Sequence, residues 1–232
     1  MGLVTVLDSR KAAAAVAESI VVTPKGSPVI GWDDAAGITS VTMPSVTLTT
    51  GNSIIVMVWS SASFATPTCS WNGQALTSDA LRSASGIRTQ IFSKHNVTGA
   101  TGDVVATQAN QVVSEGLHIA VIEVAGLATA STFDKNAIGN GNSGSPLTGT
   151  TLTTAQAHEL LIGATGTLTS GAAQGGTWSS SFGNGQDSDD PGQIGFSWAY
   201  RIVNATGAYS AGKTGATSGF WTACIATYKA AA

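Results

Sequence analysis

The feature that most constrains this chain is an ordered series of short motifs that occurs twice, about a hundred residues apart. Thr47-Leu-Thr-Thr50 returns as Thr151-Leu-Thr-Thr154, 104 residues later, and Trp71 has its counterpart in Trp178, 107 residues later. Three further anchors keep the same order: Ile54-Ile-Val56 with Leu160-Leu-Ile162, Phe92 to Ala100 with Tyr200 to Ala208, and Gly116 with Gly219. This period is too long for a solenoid repeat, so it predicts two copies of one strand set whose loops differ in length.

Both copies have the composition of β structure. Runs rich in Val, Ile, Thr and aromatic residues alternate with clusters of Gly, Asn, Ser and Asp. We predict one series of strands near 41–49, 53–60, 67–77, 87–96, 103–108 and 116–125, and a second near 150–154, 159–166, 175–182, 194–204, 208–213 and 219–228. Pairing the copies leaves fewer open edges. The sequence therefore predicts an all-β, jelly-roll-like sandwich of two sheets, built from a duplicated strand block around a shared apolar interior.

The first thirty residues differ from the rest of the chain. Ser9 to Glu18 is rich in strong helix formers and has a capping residue in Asp8 or Ser9. Two turns of helix are marginal alone in water, so we expect this segment to pack on the sandwich or on a neighbouring subunit. We predict a short N-terminal helical arm, residues 1–30, and one β-sandwich domain, residues 31–232.

Composition narrows the classes of function. Charged residues make up 10% of the chain, hydrophobic residues 43%, and the net charge is −3. These values exclude general disorder and argue against a nucleic-acid partner, which needs many Lys and Arg contacts to phosphate. Asp8, Arg10, Lys11 and Glu18 interrupt any apolar signal region, and the apolar run Ile54–Trp59 is too short to span a bilayer. We expect no signal peptide and no membrane partner.

The metal-binding signals are weak. Asn184, Asp187, Asp189 and Asp190 could offer oxygen ligands to Ca²⁺. They lack the spacing of an EF-hand, and a solvated acidic turn also explains them. The histidines lack zinc-ligand spacing. We predict no cofactor and no metal, with calcium as the ion that the sequence would best accommodate.

The two cysteines, Cys69 and Cys224, are too few for a disulfide framework. A single bridge between them and two buried thiols both remain open, and we favour buried thiols.

One motif suggests catalysis. Gly141-Asn-Ser-Gly-Ser-Pro146 resembles the nucleophile loop of chymotrypsin-like proteases, in which Ser143 would attack. His95 followed by Asp103 or Asp134 gives the required order, but His95 lies only 48 residues before Ser143, too few for the strands of two barrels. We interpret the motif as a turn-rich loop and predict no catalytic residues.

Aromatic residues offer a binding hypothesis. Phe196, Trp198 and Tyr200 alternate along one predicted strand and therefore project from one face. On a buried face they are core, which we favour; on an exposed face they would form a stacking platform for sugar rings. Trp32, and Trp59 at a strand end, are further candidates for contact with a partner or a glycan.

The order of the strand motifs resembles that of a known group of domains. The motifs are residues 49–52, 70–77, 91–95 and 98–100, within a likeness that covers 38–228. They resemble the jelly-roll and β-sandwich domains of tailed-phage virion proteins (decoration, tail or fibre-associated proteins) and of related bacterial surface proteins. The resemblance implies display on a particle, with no catalytic residues to carry over.

We therefore expect a non-enzymatic structural component of a phage virion, assembled in the host cytoplasm. Its partners would be other virion proteins, in a homo-oligomer or as an assembly subunit. The alternative is a carbohydrate-binding, adhesin-like module that attaches to host-surface glycans.

Overall fold

The structure, a computed structural model, describes residues 19–31, 38–63, 65–109, 116–168, 175–189 and 194–232. Within these ranges every regular element is a β-strand, and every strand pair is antiparallel. The predicted all-β class is therefore confirmed. The described part of the chain contains no helix with the length and apolar character needed to cross a membrane.

The strands divide between two copies of the repeat. The first copy contains β1 Val21–Pro24, β2 Val29–Gly31, β3 Ser40–Leu48, β4 Ser53–Ser61, β5 Thr68–Trp71, β6 Gln74–Ala75, β7 Thr77–Ala84, β8 Ile87–Lys94, β9 Ala100–Thr107 and β10 Leu117–Ala125. The second copy contains β11 Phe133–Ser143, β12 His158–Leu168, β13 Gly175–Trp178, β14 Gly183–Asp189, β15 Ile194–Asn204, β16 Lys213–Ala216 and β17 Gly219–Lys229.

Each copy forms an inner and an outer sheet. The first inner sheet has the order β1-β10-β4-β8-β7, with β2 also paired to β10, and the second inner sheet has the order β11-β17-β12-β15-β14. The first outer sheet is β3-β9-β5-β6, and the second is β13-β16. Residues 148–154 extend the second outer sheet, since Thr148 N donates to Ala211 O and Thr151 N to Tyr209 O, both at 2.9 Å. Equivalent strands thus occupy equivalent places in the two copies.

The four sheets stack as layers, with the inner sheets face to face. The central core lies between the inner sheets and contains Ile55 and Met57 from β4. The first outer core lies between the first inner and outer sheets and contains Ile54 and Val56. The second outer core, which contains Leu161, lies between the second inner and outer sheets. We expected two sheets; the described residues form four.

The extra layers explain the continuous apolar runs of the sequence. Successive residues of a strand point to opposite faces, so a strand with apolar residues at every position needs a packed layer on each side. Strand β4 meets this condition from Ile54 to Trp59, which are six consecutive apolar residues, and all nine residues of the strand are buried. A two-sheet sandwich would leave one face of β4 in water.

The described part of the predicted arm is β structure. Residues 1–18, which carry the predicted helix, lie outside the described residues. Strands β1 and β2 pair with β10. Lys25, between them, forms an ion pair with Glu123 of β10. Residues 19–31 therefore belong to the first inner sheet.

Several strands were missed by the sequence analysis. The predicted loop at 141–146 is largely wrong, because Phe133–Ser143 is one strand at the edge of the second inner sheet. Strands β7 and β14 are also edge strands and were not predicted as separate elements. Conversely, residues 150–154 form no regular strand. Edge strands can carry polar and glycine residues, which resemble loop residues in sequence.

Candidate functional site

The structure does not bring the protease-like residues together. The Ser143 hydroxyl accepts hydrogen bonds from Trp221 Nε1 at 3.1 Å and from the Ser145 amide at 3.2 Å. His95 is bonded to two other serines, Ser53 through Nδ1 and Ser93 through Nε2, each at 2.9 Å. Ser143 therefore lacks the histidine that the mechanism needs among its hydrogen-bond partners in the described part of the chain.

His95 belongs instead to a polar chain at the junction of the two copies. A cleft of about 550 Å³ opens between the copies and is lined by Asp79, Ser93, His95 and residues 129–133. Tyr228 of the second copy donates its hydroxyl to Asp79 Oδ2 at 2.7 Å. The Tyr228 ring also lies 5.5 Å from the His95 ring. The chain of polar groups thus links β7, β8 and β17.

Burial disfavours charge on the titratable groups of this polar chain. It lowers the pKa of His95 to about 4, so the imidazole is neutral at pH 7. Burial also raises the pKa of Asp79, although hydrogen bonds from Ser93 and Tyr228 act in the opposite direction. Ser93 is 2% exposed, so a substrate carbonyl could not reach its hydroxyl without a rearrangement. The geometry therefore supports a role in joining the two copies over a role in nucleophilic catalysis.

The candidate aromatic platform is buried. Phe196 and Trp198 are both 0% exposed within the central core, and Tyr200 is partly buried against it. Trp59 is 1% exposed in the same core, so its assignment as a partner or glycan contact is wrong. Trp32 lies outside the described residues. The preferred interpretation of 196–200 as core is confirmed for Phe196 and Trp198.

The candidate calcium ligands are only partly described. Asp187 accepts hydrogen bonds through Oδ1 from Lys213 Nζ at 3.3 Å and from the Ser197 hydroxyl. Asn184 is exposed, whereas Asp190 and the side chain of Asp189 lie outside the described residues. Among the residues that can be examined, no group of three His, Cys, Asp or Glu side chains is placed to hold a metal ion. Asp187 instead has a cationic partner within the protein.

The two cysteines lie in different cores. Cys69 is buried in the first outer core, and Cys224 is buried in the central core. Both are free thiols, as the preferred interpretation predicted. Burial raises the pKa of each thiol to about 12, so neither has the thiolate character that reactive cysteines require.

A second cleft lies in the second copy. It has a volume of about 330 Å³ and is lined by Trp178, Phe182, Asn184, Asp187 and neighbouring glycines. Trp178 Nε1 donates to Ser197 Oγ at 3.1 Å, which fixes the orientation of the indole ring. Lys213 Nζ lies 5.8 Å from the centre of that ring. We call this cavity the Trp178 cleft.

Sequence reasoning missed the Trp178 cleft. Trp178 was noted only as an anchor of the repeat, and Lys213 carried no motif. The distinguishing feature is the register of the strand pairs, which only the structure shows. Trp71 pairs with Val104, whereas Trp178 pairs with Lys213, so a charged residue replaces a core valine.

The chain matches no protein-family model, no curated protein and no solved structure. Its function is therefore inferred from the geometry of these sites.

Proposed function

We propose that each copy of the repeat is a jelly roll. A jelly roll is a hairpin of eight strands folded over so that strand 1 lies beside 8, 2 beside 7, 3 beside 6, and 4 beside 5. In the first copy the corresponding pairs are β1 and β2 with β10, β3 with β9, β4 with β8, and β5 with β6. The fifth strand is split, because β6 pairs in the outer sheet and β7 in the inner sheet.

The second copy supports the same assignment. Strand β11 lies beside β17, and β12 lies beside β15. Residues 148–154 take the place of the second strand through their hydrogen bonds to residues 207–211. The fourth and fifth positions correspond to β13 and β14, without a direct pair between them in the described residues.

We further propose that the chain is a non-enzymatic structural component of a phage virion, displayed on the particle. The observation that carries this proposal is the order of the strand pairs in both copies, because the jelly rolls that we infer from this order serve widely as capsid and lectin domains. A surface with few charges also suits an assembly, in which large contact areas compensate for weak electrostatic attraction. The resemblance of the strand motifs to tailed-phage proteins points the same way.

The test is the composition of purified particles. The gene would be expressed from its native genome, and particles would be purified on a density gradient. We expect the chain to sediment with the particles in a fixed ratio to other virion proteins, as measured by quantitative mass spectrometry. A chain that stays at the top of the gradient contradicts the proposal.

Two truncations make the test sharper. Removing residues 2–18 leaves every described strand intact, so the shortened chain should fold. We expect this shortened chain to be incorporated poorly, since we propose that residues 2–18 of the arm dock on a neighbouring subunit. Removing residues 2–31 also deletes β1, β2 and the Lys25–Glu123 ion pair, so it serves as the destabilised control. Equal incorporation of the full chain and the first truncation would exclude an anchoring role for the arm.

A further inference from the structure

The two copies carry the same cleft with opposite chemistry. In each copy a cavity opens where the short edge of the outer sheet meets the edge strand of the inner sheet. The cavity in the first copy has a volume of about 450 Å³ and is lined largely by apolar groups, among them Cys69, Leu76, Leu81 and Phe92. The Trp178 cleft is its counterpart in the second copy.

Strand registers identify the positions that differ. Leu81 of β7 pairs with Gln90 of β8, and Asp187 of β14 pairs with Ser197 of β15. Because β7 and β14, and likewise β8 and β15, are equivalent strands, Asp187 stands where the first copy has Leu81. By the same comparison Lys213 stands where the first copy has Val104, which is 0% exposed.

The second copy has the smaller outer core. Among the described residues, the first outer core contains seventeen buried hydrophobic residues and the second outer core contains six. The Lys213 side chain is 0% exposed and is paired with Asp187, and a buried ion pair often stabilises a fold less than apolar residues of similar volume would. A protein that needed only a stable sandwich would lose nothing by keeping valine and leucine at these positions. The cost suggests that the polar groups serve a ligand.

The Trp178 cleft is a prepared site. The Ser197 hydroxyl accepts from Trp178 Nε1 and from Lys213 Nζ, both at 3.1 Å, and donates to Asp187 Oδ1. One buried hydroxyl therefore fixes the relative positions of the indole ring and the carboxylate. The Asp187 side chain remains 46% exposed, and its second oxygen has no partner among the described residues. Asn184, also in the cleft, is exposed.

The charge balance of the cleft identifies the class of ligand. Lys213 Nζ lies 3.3 Å from the Asp187 carboxylate, so the pair disfavours a cation as well as an anion. The cleft then offers three groups to an uncharged ligand. The Asp187 carboxylate accepts hydrogen bonds from hydroxyl groups, the Asn184 amide both donates and accepts, and Trp178 provides an aromatic ring. Trp178 also packs against Phe182, with the ring centres 6.0 Å apart, so a ligand would contact the part of the indole that lines the cleft. A pyranose sugar matches this set, because its C–H groups can pack against that part of the indole and its hydroxyl groups can bond to carboxylate and amide at the rim.

The Trp178 cleft adjoins a second cavity, which gives room for more than one sugar ring. An adjoining depression of about 500 Å³ shares Gly183 and Asn184 with it and is lined further by Tyr200 and Arg201. Asn184 lines both cavities and therefore lies at the boundary between them, and its backbone has a positive φ of 53°. Both volumes lie within the range of about 300–1,000 Å³ that is usual for small-molecule sites.

We propose that the Trp178 cleft binds a neutral oligosaccharide, with one pyranose ring beside Trp178, its hydroxyls on Asp187, and the next ring beyond Asn184. This site goes beyond the display role proposed above. Of the aromatic candidates that the sequence suggested, Tyr200 lines the adjoining depression, whereas Phe196 and Trp198 are buried in the central core. A virion component with such a site would recognise a glycan surface through its second copy.

The experiment uses the full chain on a glycan array that carries neutral, acidic and amino-sugar oligosaccharides. We expect binding to neutral members, and tighter binding of an oligosaccharide than of its monosaccharide in isothermal titration. Three variants probe the cleft: Trp178→Leu, Asp187→Asn and Asn184→Gly. Glycine accepts the positive φ at position 184, so the last variant removes the amide with little strain. Each variant should weaken binding about tenfold or more, which corresponds to the loss of one stacking or hydrogen-bonding contact.

Matched controls lie at equivalent or comparable positions. Leu81→Asn alters the first copy where Asp187 stands in the second, and Phe220→Ala removes an aromatic side chain that is 45% exposed elsewhere. Both controls should bind as the unaltered chain does. Thermal unfolding of every variant separates lost binding from lost folding, and Asn184→Gly remains decisive if Trp178→Leu unfolds.

Two results would overturn the proposal: no binding to any array member, or binding that the three cleft variants leave unchanged. Neither result affects the proposal that the chain is a virion component, because that proposal is tested separately by the composition of purified particles.

Discussion

At the scale of single residues, burial decides which groups keep their charge. Burial alone would raise the pKa of Glu123, but the Lys25 ammonium and the amides of Thr49 and Asn52 together hold it below its usual value. The charged form of Glu159 is stabilised less by its neighbours. It is 0% exposed, and burial together with the nearby Asp134 carboxylate raises its pKa to about 7. The two glutamates therefore contribute to stability in opposite pH ranges.

The raised pKa of Glu159 predicts a loss of stability in mild alkali. A folded-state pKa of about 7, above the ordinary glutamate value of 4.5, means that the folded state holds the proton more tightly than the unfolded chain. The resulting stabilisation is complete below pH 4.5 and is lost as the pH rises through 7. Glu159→Gln is neutral at every pH, so it should be more stable than the unaltered chain at pH 8, by on the order of 2 kcal/mol, with a smaller difference at pH 5.

Urea unfolding at the two pH values measures this difference. Leu152→Ala, which alters an exposed side chain without a titratable group, is the control and should change the stability equally at both pH values. An equal effect of Glu159→Gln at pH 5 and pH 8 would show that Glu159 is ionised in the folded protein across this range.

At the scale of strands, a glycine sets how closely the inner sheets approach. A Cβ atom built on Gly166 of β12 would lie 1.8 Å from Trp59 Cδ1 and 2.0 Å from Trp59 Nε1 of β4. The indole therefore lies directly over the glycine. Gly166→Ala should lower the free energy of unfolding by at least about 2 kcal/mol, since overpacking a close contact forces the sheets or the ring to move.

Gly183→Ala is the matched control, because a Cβ atom at Gly183 would meet nothing within 4 Å and the residue has no positive φ. We expect it to be neutral or slightly stabilising. Chemical denaturation of both variants measures the change in the free energy of unfolding. A neutral Gly166→Ala would mean that Trp59 can leave the position between the sheets.

The strands also show how far the sequence could predict the fold. The anchors of the repeat identified equivalent strands, but two of them were out of register with the structure. Phe92 packs in the first outer core, whereas its proposed counterpart Tyr200 packs against the central core. Ile55 and Leu161 likewise point to opposite faces of equivalent strands. A shift of one residue in the strand register moves every side chain to the opposite face of the sheet. Strands that are buried on both faces carry no alternation, so the sequence gives no signal for the register.

The site was harder to predict than the strands. Trp178 and Trp71 are the same residue type at equivalent positions, yet Trp71 is 0% exposed and Trp178 lines a cleft. The difference arises from Lys213, Ser197 and Asp187, which lie on three other strands. Their proximity depends on tertiary pairing, and no spacing in the sequence expresses it.

At the scale of the whole molecule, the copies are joined by a continuous core and by buried polar contacts. The Thr89 hydroxyl of the first copy bonds to the Thr222 hydroxyl of the second at 2.8 Å, and Cys224 Sγ donates to Thr89 O at 3.2 Å. The Tyr228 hydroxyl reaches Asp79 across the same junction. Separating the copies would expose both apolar faces to water, which is costly, and would exchange these hydrogen bonds for bonds to water.

This junction predicts a single cooperative unfolding transition for the full chain, although each copy has its own outer core. Differential scanning calorimetry should give one peak, with equal calorimetric and van't Hoff enthalpies. Phe92→Ala creates a cavity in the first outer core and Ile225→Ala creates one in the second, each with an expected loss of about 2–5 kcal/mol. If the copies unfold together, both variants lower the temperature of that one peak. If they unfold independently, the calorimetric trace has two peaks and each variant shifts a different one, and the central core would then be a contact between two separate domains.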